Sequence, residues 1–198
     1  DLNKLLKAKS LAVVGASEKP GFGGDTCRNI LEYRKDLSRV YFVNPGREMV
    51  LGRKCYKSLS EIDDEVELVI ICTSQATVCG LLREAKTKGC GGAVAFASGY
   101  SETGDEKGKA AEEELKSLAK ELDIAVLGPN CGGFNNYVDD VISFAFPVEK
   151  RDRKGSIGII SQSGQFCINL MDSSEMRFSY AISIGNGKIV TLEDYLDF

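Results

Sequence analysis

Five short apolar runs, separated by longer stretches, constrain this chain more than any other feature. The runs lie at 10–15 (SLAVVG), 40–43 (VYFV), 66–73 (VELVIICT), 93–97 (AVAFA) and 124–127 (IAVL). Helical patterning fills three of the stretches between them, at 24–33, at about 75–88, and at 107–122, where Ala, Leu, Glu and Lys recur at helical spacing. A strand buried on both faces reads as a continuous apolar run, and alternation of such strands with helices predicts a parallel, doubly wound sheet. The expected fold class is therefore α/β, with a Rossmann-like domain over residues 1–148.

A charged connector, EKRDRK, follows at 149–154, and then the pattern restarts. A strand is predicted at 156–160, a helix at 164–175 and another strand at 180–184, with Thr191 as the N-cap of a further helix. Residues 155–198 are thus expected to be the N-terminal part of a second α/β domain. Two strands and one complete helix cannot close such a domain by themselves. Either these residues pack on the first domain or the chain is a piece of a longer protein, and the second is the expectation.

Composition removes several classes of function. The net charge of −4 argues against nucleic-acid binding, which calls for a basic face. No apolar run approaches the roughly 20 residues that span a bilayer, and Asp1-Leu2-Asn3-Lys4 is not the start of a signal peptide. Seven cysteines without C-x-x-C spacing suggest neither a disulfide framework nor a zinc site, so a reducing cytoplasm is expected. With no histidine present, Ser-His and Cys-His nucleophilic catalysis and histidine metal ligation are excluded from these residues.

The first strand runs into a glycine-rich turn, Gly15-Ala16-Ser17-Glu18-Lys19-Pro20-Gly21-Phe22-Gly23-Gly24. Open α/β sheets bind ligands at the carboxyl ends of their strands. Glycines there let the backbone approach a phosphate, and the next helix supplies amide donors and a positive dipole end. A phosphorylated ligand is expected. The dinucleotide fingerprint wants glycine where Ser17 stands and an acidic residue ending the second strand, where the chain has Val43-Asn44-Pro45-Gly46-Arg47. Both departures weaken an NAD reading. Arg47 suits an additional phosphate, either the 3′-phosphate of CoA or the 2′-phosphate of NADP.

Further motifs fall at the ends of the later strands: Cys72-Thr73, Ser98-Gly99-Tyr100-Ser101-Glu102, Gly128-Pro129-Asn130-Cys131-Gly132 and Ser161-Gln162-Ser163-Gly164. With the glycine-rich turn and VNPG, this ordered set resembles the CoA-binding and ligase segments of ADP-forming acyl-CoA synthetases and of the succinyl-CoA synthetase alpha subunit. The resemblance covers essentially the whole chain. It implies that Gly15, Ser17 and Gly21 hold the CoA phosphates, and that Pro45 and Arg47 flank the adenine and its 3′-phosphate. Thr73, Ser98 and Glu102 would line the pantetheine arm, with Asn130 and Cys131 near its thiol end. Ser161, Ser163 and Gly164 would open a helix that receives a phosphoryl group, consistent with hydroxyls and free amides at a helix N-terminus. Gly185-Asn186-Gly187 reads as a turn more than as a site, although the family it resembles has a Gly-Asn pair there. Cys131 reads as a packed thiol, since no histidine stands by to activate it.

The resemblance also implies a reversible reaction in which acyl-CoA, phosphate and ADP exchange with carboxylic acid, CoA and ATP. The family's phosphohistidine lies downstream of the matched segments, so no catalytic residue is assigned here. ATP or ADP and Mg²⁺ would be served by an ATP-grasp domain or subunit, and a homo- or hetero-oligomer is expected. Two rivals stand beside this reading: a non-catalytic CoA-binding regulatory domain, such as one fused to a protein acetyltransferase, and an NAD(P)-binding oxidoreductase domain.

Overall fold

The computed structural model describes residues 1–148 and 154–198; the expected connector falls almost wholly on 149–153, outside the described residues. Seven strands form the first sheet: β1 (Leu11–Val14), β2 (Val40–Val43), β3 (Met49–Val50), β4 (Arg53–Tyr56), β5 (Leu68–Ile71), β6 (Gly92–Ala95) and β7 (Ala125–Leu127). Their order is β3-β4-β2-β1-β5-β6-β7, and every pairing is parallel except β3 with β4.

The continuous apolar runs have the expected physical cause. Leu11 and Val13 of β1 pack on one side with α1 (Leu2–Leu6) and α2 (Phe22–Tyr33). Ala12 and Val14 pack on the other with α3 (Gln75–Thr87) and α4 (Glu106–Glu121). Strands buried on both faces cannot alternate polar and apolar residues, and the sheet is doubly wound as expected. Asp105 fixes the start of α4 by accepting the Gly108 amide at 2.7 Å.

A second sheet of four strands contains β8 (Gly133–Asn136), β9 (Val141–Ile142), β10 (Lys154–Ser161) and β11 (Phe178–Ser183), in the order β10-β11-β8-β9. β10 and β11 are parallel, whereas β8 pairs antiparallel with both β11 and β9. The charged stretch at 149–154 therefore divides the sequence but not the packing. Phe134 of β8 and Ile182 of β11 share one buried cluster with Leu11, Phe42 and Leu127 of the first sheet. The region after 154 packs on the first unit through this sheet.

Buried polar side chains lock the two sheets together. Asn29 of α2 donates to the carbonyls of Phe144 and Phe146, at 2.9 and 2.7 Å. Asn136 of β8 donates to the Leu6 carbonyl at 2.8 Å. Each would be costly to bury without these partners.

The sequence pattern misses both hairpins, and α5 (Gly164–Met171) stops short of the expected 164–175. The first hairpin turns at Leu51 and Gly52, both at positive φ (49° and 74°), an unusual pair in which only Gly52 signals the turn. The second contains Asn135 and Asn136, polar residues that disguise a fully buried strand. α5 ends where Asp172, Ser173 and Ser174 begin, residues whose side chains compete with helical backbone bonding.

Candidate functional site

β1 lies between β2 and β5, so successive connections leave it in opposite directions and open a crevice at its carboxyl end. Gly15 sits at this point with φ +87°. A side chain there would meet Thr73 Cγ2 at 3.0 Å and the Cys72 carbonyl at 3.2 Å. The glycine-rich turn then folds back under the helix it leads into. A Cβ on Gly24 would lie 1.8 Å from the Lys19 carbonyl oxygen, so that face of α2 must stay bare.

The N-cap of α2 is Gly21, which offers no side chain to the first amides of the helix. Those donors and the positive dipole end are open to an anion. Asp25 braces the loop by accepting the Gly21 amide at 3.0 Å and pairing with Arg28, which also donates to the Glu18 carbonyl at 3.1 Å. Ser17 is half-buried, and its hydroxyl accepts the Lys19 amide at 3.0 Å.

At the end of β2, Asn44 occupies the place where a dinucleotide site has its ribose-binding carboxylate. Its Nδ2 donates to the Ala16 carbonyl at 2.9 Å, and its Oδ1 accepts the Gly46 amide at 3.0 Å. The carboxamide is spent on tying β2 to the glycine-rich turn. Pro45 and Arg47 follow it in an exposed turn on the same side.

Ser98, Asn130, Cys131 and Gly164 meet around one cavity of about 270 Å³, together with Phe22, Phe96, Phe146 and Gln165. Phe22 is the first residue of α2, so the cavity opens beside the glycine-rich turn. Its ring packs 5.5 Å from that of Phe96 and 5.8 Å from that of Phe146. Close backbone approach brings the segments together: a Cβ on Gly132 would lie 3.3 Å from the Gly164 Cα. A larger hollow of about 450 Å³, between Arg28, Leu51 and Pro147, contains none of the sequence-predicted residues.

Cys131 borders the cavity, but its thiol points inward and donates to the Ala95 and Leu127 carbonyls at 3.5 and 3.7 Å. Burial pushes it up to about 12, which suits a packed thiol and not a nucleophile. Ser163 caps α5 by accepting the Phe166 amide at 3.2 Å, and Ser161 accepts the Ser163 amide at 3.1 Å. Both hydroxyls have local partners while remaining at a helix N-terminus that faces the cavity. Thr73 shares a 2.7 Å hydroxyl bond with Thr77 in the first turn of α3.

Glu102 does more than turn the chain. One carboxylate oxygen accepts the Gly99 and Tyr100 amides at 2.6 and 3.2 Å, and the other accepts Asn186 Nδ2 at 2.8 Å. Partial burial would raise this carboxyl, but the bonds donated to it outweigh burial and hold it below its ordinary value. Asn186 and the aromatic walls of the cavity escaped the sequence reading. The signals for them were a Phe inside a glycine-rich turn and an Asn between two glycines.

A profile described as "CoA binding domain" matches residues 9–137, and one described as "Succinyl-CoA ligase like flavodoxin domain" matches residues 154–198. An ADP-forming acetate–CoA ligase II of Archaeoglobus fulgidus is 36% identical over all of this chain, which covers 30% of that ligase. The alpha subunit of ADP-forming acetate–CoA ligase II of Pyrococcus furiosus is 34% identical, again over the whole chain and over 43% of the subunit. An acetyl-coenzyme A synthetase 1 of Ca. Korarchaeum cryptofilum, solved with phosphate and ADP, superposes with a TM-score of 0.90 at 32% identity over the whole chain and 42% of its own. This chain thus spans less than half the length of these relatives. No helix among the described residues is long and apolar enough to cross a membrane. With the first profile matching well over half of its length on a Rossmann-like sheet, the chain belongs to the CoA-binding domain family, continues into a succinyl-CoA-ligase-like flavodoxin segment, and is similar along its whole length to part of the ADP-forming acetate–CoA ligases.

Proposed function

We propose that this chain binds coenzyme A at the glycine-rich turn and serves as the coenzyme-binding portion of an ADP-forming acyl-CoA synthetase. The observation that carries this reading is the open N-terminus of α2, uncapped at Gly21 and set at the point where strand order reverses. Gly15, Ser17 and Gly21 receive the diphosphate there. Arg47 and Pro45 take the 3′-phosphate and adenine, and the chain of Thr73, Ser98, Glu102, Asn130 and Cys131 leads the pantetheine arm toward the cavity at α5. Cys131 takes part through its backbone, its thiol being buried.

Asn44 supports CoA over NAD. Its carboxamide is already bonded to Ala16 and Gly46, and it carries no charge for a ribose diol.

In the reaction proposed for the whole protein, a phosphate oxygen attacks the thioester carbonyl of acyl-CoA. The carbon–sulfur bond breaks, CoA leaves as a thiol after taking up a proton, and an acyl phosphate remains. Its phosphoryl group then passes by way of a histidine to ADP, releasing the carboxylic acid. Gly164, Ser161 and Ser163 stabilise the phosphoryl oxygens through the α5 amides and dipole, a positioning and electrostatic contribution. The histidine, the ADP site and Mg²⁺ are assigned to a further domain or subunit, in a homo- or hetero-oligomer; no cluster suited to a metal occurs among the described residues. We place the protein in the cytoplasm, in keeping with its unpaired cysteines.

Calorimetric titration with CoA, NAD and NADP tests the reading. Saturable CoA binding with no response to the dinucleotides is expected. Dinucleotide binding without CoA binding would overturn it.

A further inference from the structure

We infer that Asn186 is a positioning residue of the coenzyme site, a latch through which the region after 154 sets the shape of the turn at 98–102. This inference rests on the CoA reading above. Asn186 stands between Gly185 (φ +62°) and Gly187 (φ +59°), in the loop that leaves β11. The loop is pressed onto the end of β7: a Cβ on Gly185 would lie 2.4 Å from the Pro129 oxygen, and the Asn186 amide donates to that oxygen at 3.0 Å. The backbone is therefore fixed before its side chain makes any contact.

The carboxamide then joins three elements. Its two N–H groups reach Glu102 Oε2 at 2.8 Å and Glu112 Oε2 at 2.6 Å. Its oxygen accepts Asn130 Nδ2 at 3.3 Å. Glu112 projects from α4 and is 4% exposed, a buried carboxylate that no step of the proposed chemistry uses. Its carboxylate accepts this amide, which makes it an anchor and not a reacting group. A buried acceptor of this kind holds its donor firmly, since losing the donor costs the full desolvation of the carboxylate. Glu102, on the opposite side of the amide, gathers the Gly99 and Tyr100 amides with its other oxygen. Asn186 thus fixes the distance between α4, the 98–102 turn and Asn130. The last two are the segments assigned to the pantetheine arm. The hydrogen bonds of Asn186 run to Pro129, Asn130, Ser101, Glu102 and Glu112, and none of these residues belongs to the diphosphate and adenine end at Gly15–Gly21 and Arg47.

This separation supplies the test. The affinities of CoA and of adenosine 3′,5′-bisphosphate, which lacks the pantetheine arm, are measured calorimetrically for the wild-type chain and for Asn186→Ala. The expected result is CoA binding weakened about 10-fold, with the bisphosphate unchanged, so that the ratio of the two affinities falls. Equal weakening of both ligands, or of neither, would overturn the inference and leave Asn186 with a structural role or none. Binding of neither ligand by the wild-type chain would instead remove the coenzyme reading, and this inference with it. If Asn186→Ala does not fold, Asn186→Ser keeps one donor, cannot span both carboxylates, and is read by the same ratio.

Discussion

A methyl group on Gly23 would lie 2.1 Å from the carbonyl oxygen of Gly15, closer than any real contact allows. The glycine-rich turn and the first turn of α2 are thus one packed unit, and the open amides of the helix are held by that packing. Alanine in place of glycine within a helix ordinarily stabilises by about 1 kcal/mol. Gly23→Ala is expected to have the opposite sign, losing about 1–3 kcal/mol through displaced backbone, and to abolish CoA binding. Gly80→Ala in α3, where a Cβ would meet nothing within 4 Å, is the control and should gain about 0.5–1 kcal/mol. Urea denaturation of the two variants measures both signs. A neutral Gly23→Ala would mean that the turn is looser than the structure shows.

Arg47 is exposed in the turn after β2, and no described residue forms an ion pair with it. Its removal should leave stability within about 0.5 kcal/mol. Loss of a guanidinium–phosphate contact should weaken CoA about 10-fold and dephospho-CoA hardly at all. Titration of both ligands with wild type and Arg47→Ala checks this. Equal weakening of the two ligands would detach Arg47 from the 3′-phosphate.

What the sequence makes legible follows from periodicity and spacing. β1, β2, β5, β6 and β7 are apolar on both faces, so they announce themselves and place Gly15, Asn44, Thr73, Ser98 and Asn130 at strand ends. Side-chain direction is another matter. Cys131 stands in a loop motif, yet its thiol faces the interior, a fact set by the packing of Ala95 and Leu127 against it. β8 hides because Asn135 and Asn136 read as loop residues, and with it hides the pairing that joins the two halves. Asn186 is illegible for the same reason: its partners at Glu102 and Glu112 are 84 and 74 residues away.

The guanidinium of Arg34 performs a similar joining role at the other end of the molecule. It is 9% exposed and donates to the carbonyls of Lys9 and Asp36 at 2.8 and 2.9 Å, and to those of Ala8 and Asp140 at 3.3 Å. These lie in the loop before β1, beyond α2 and in the turn between β8 and β9, so one side chain closes three segments. Arg34→Met keeps the length of the stem but leaves the carbonyls without their donor. It should cost about 2–4 kcal/mol in urea denaturation, while Arg34→Lys recovers only part of the loss because an ammonium cannot span the same fork. An Arg34→Lys variant as stable as wild type would show that charge alone suffices there.

Glu102 carries the pH dependence most directly tied to the site. Its carboxyl is held below its ordinary value near 4.5 by bonds from Asn186, Gly99 and Tyr100, which outweigh the opposing effect of burial. A carboxylate depressed on folding adds stability above its unfolded value and loses that contribution as pH falls through the folded value. Asp36, Asp105 and Glu193 are depressed by local hydrogen bonds and act in the same direction. The melting temperature should therefore stay nearly flat from pH 8 to about 5 and fall at lower pH. Glu102→Gln cannot titrate, so its decline over that acid range should be shallower than that of wild type, with the remaining slope supplied by the other carboxylates. Thermal melts at half-unit steps from pH 3 to 7 compare the two profiles. Coincident slopes would mean that the bonds from Asn186 and the two amides do not persist in solution, and the turn at 98–102 would then lack the anchor that the structure gives it.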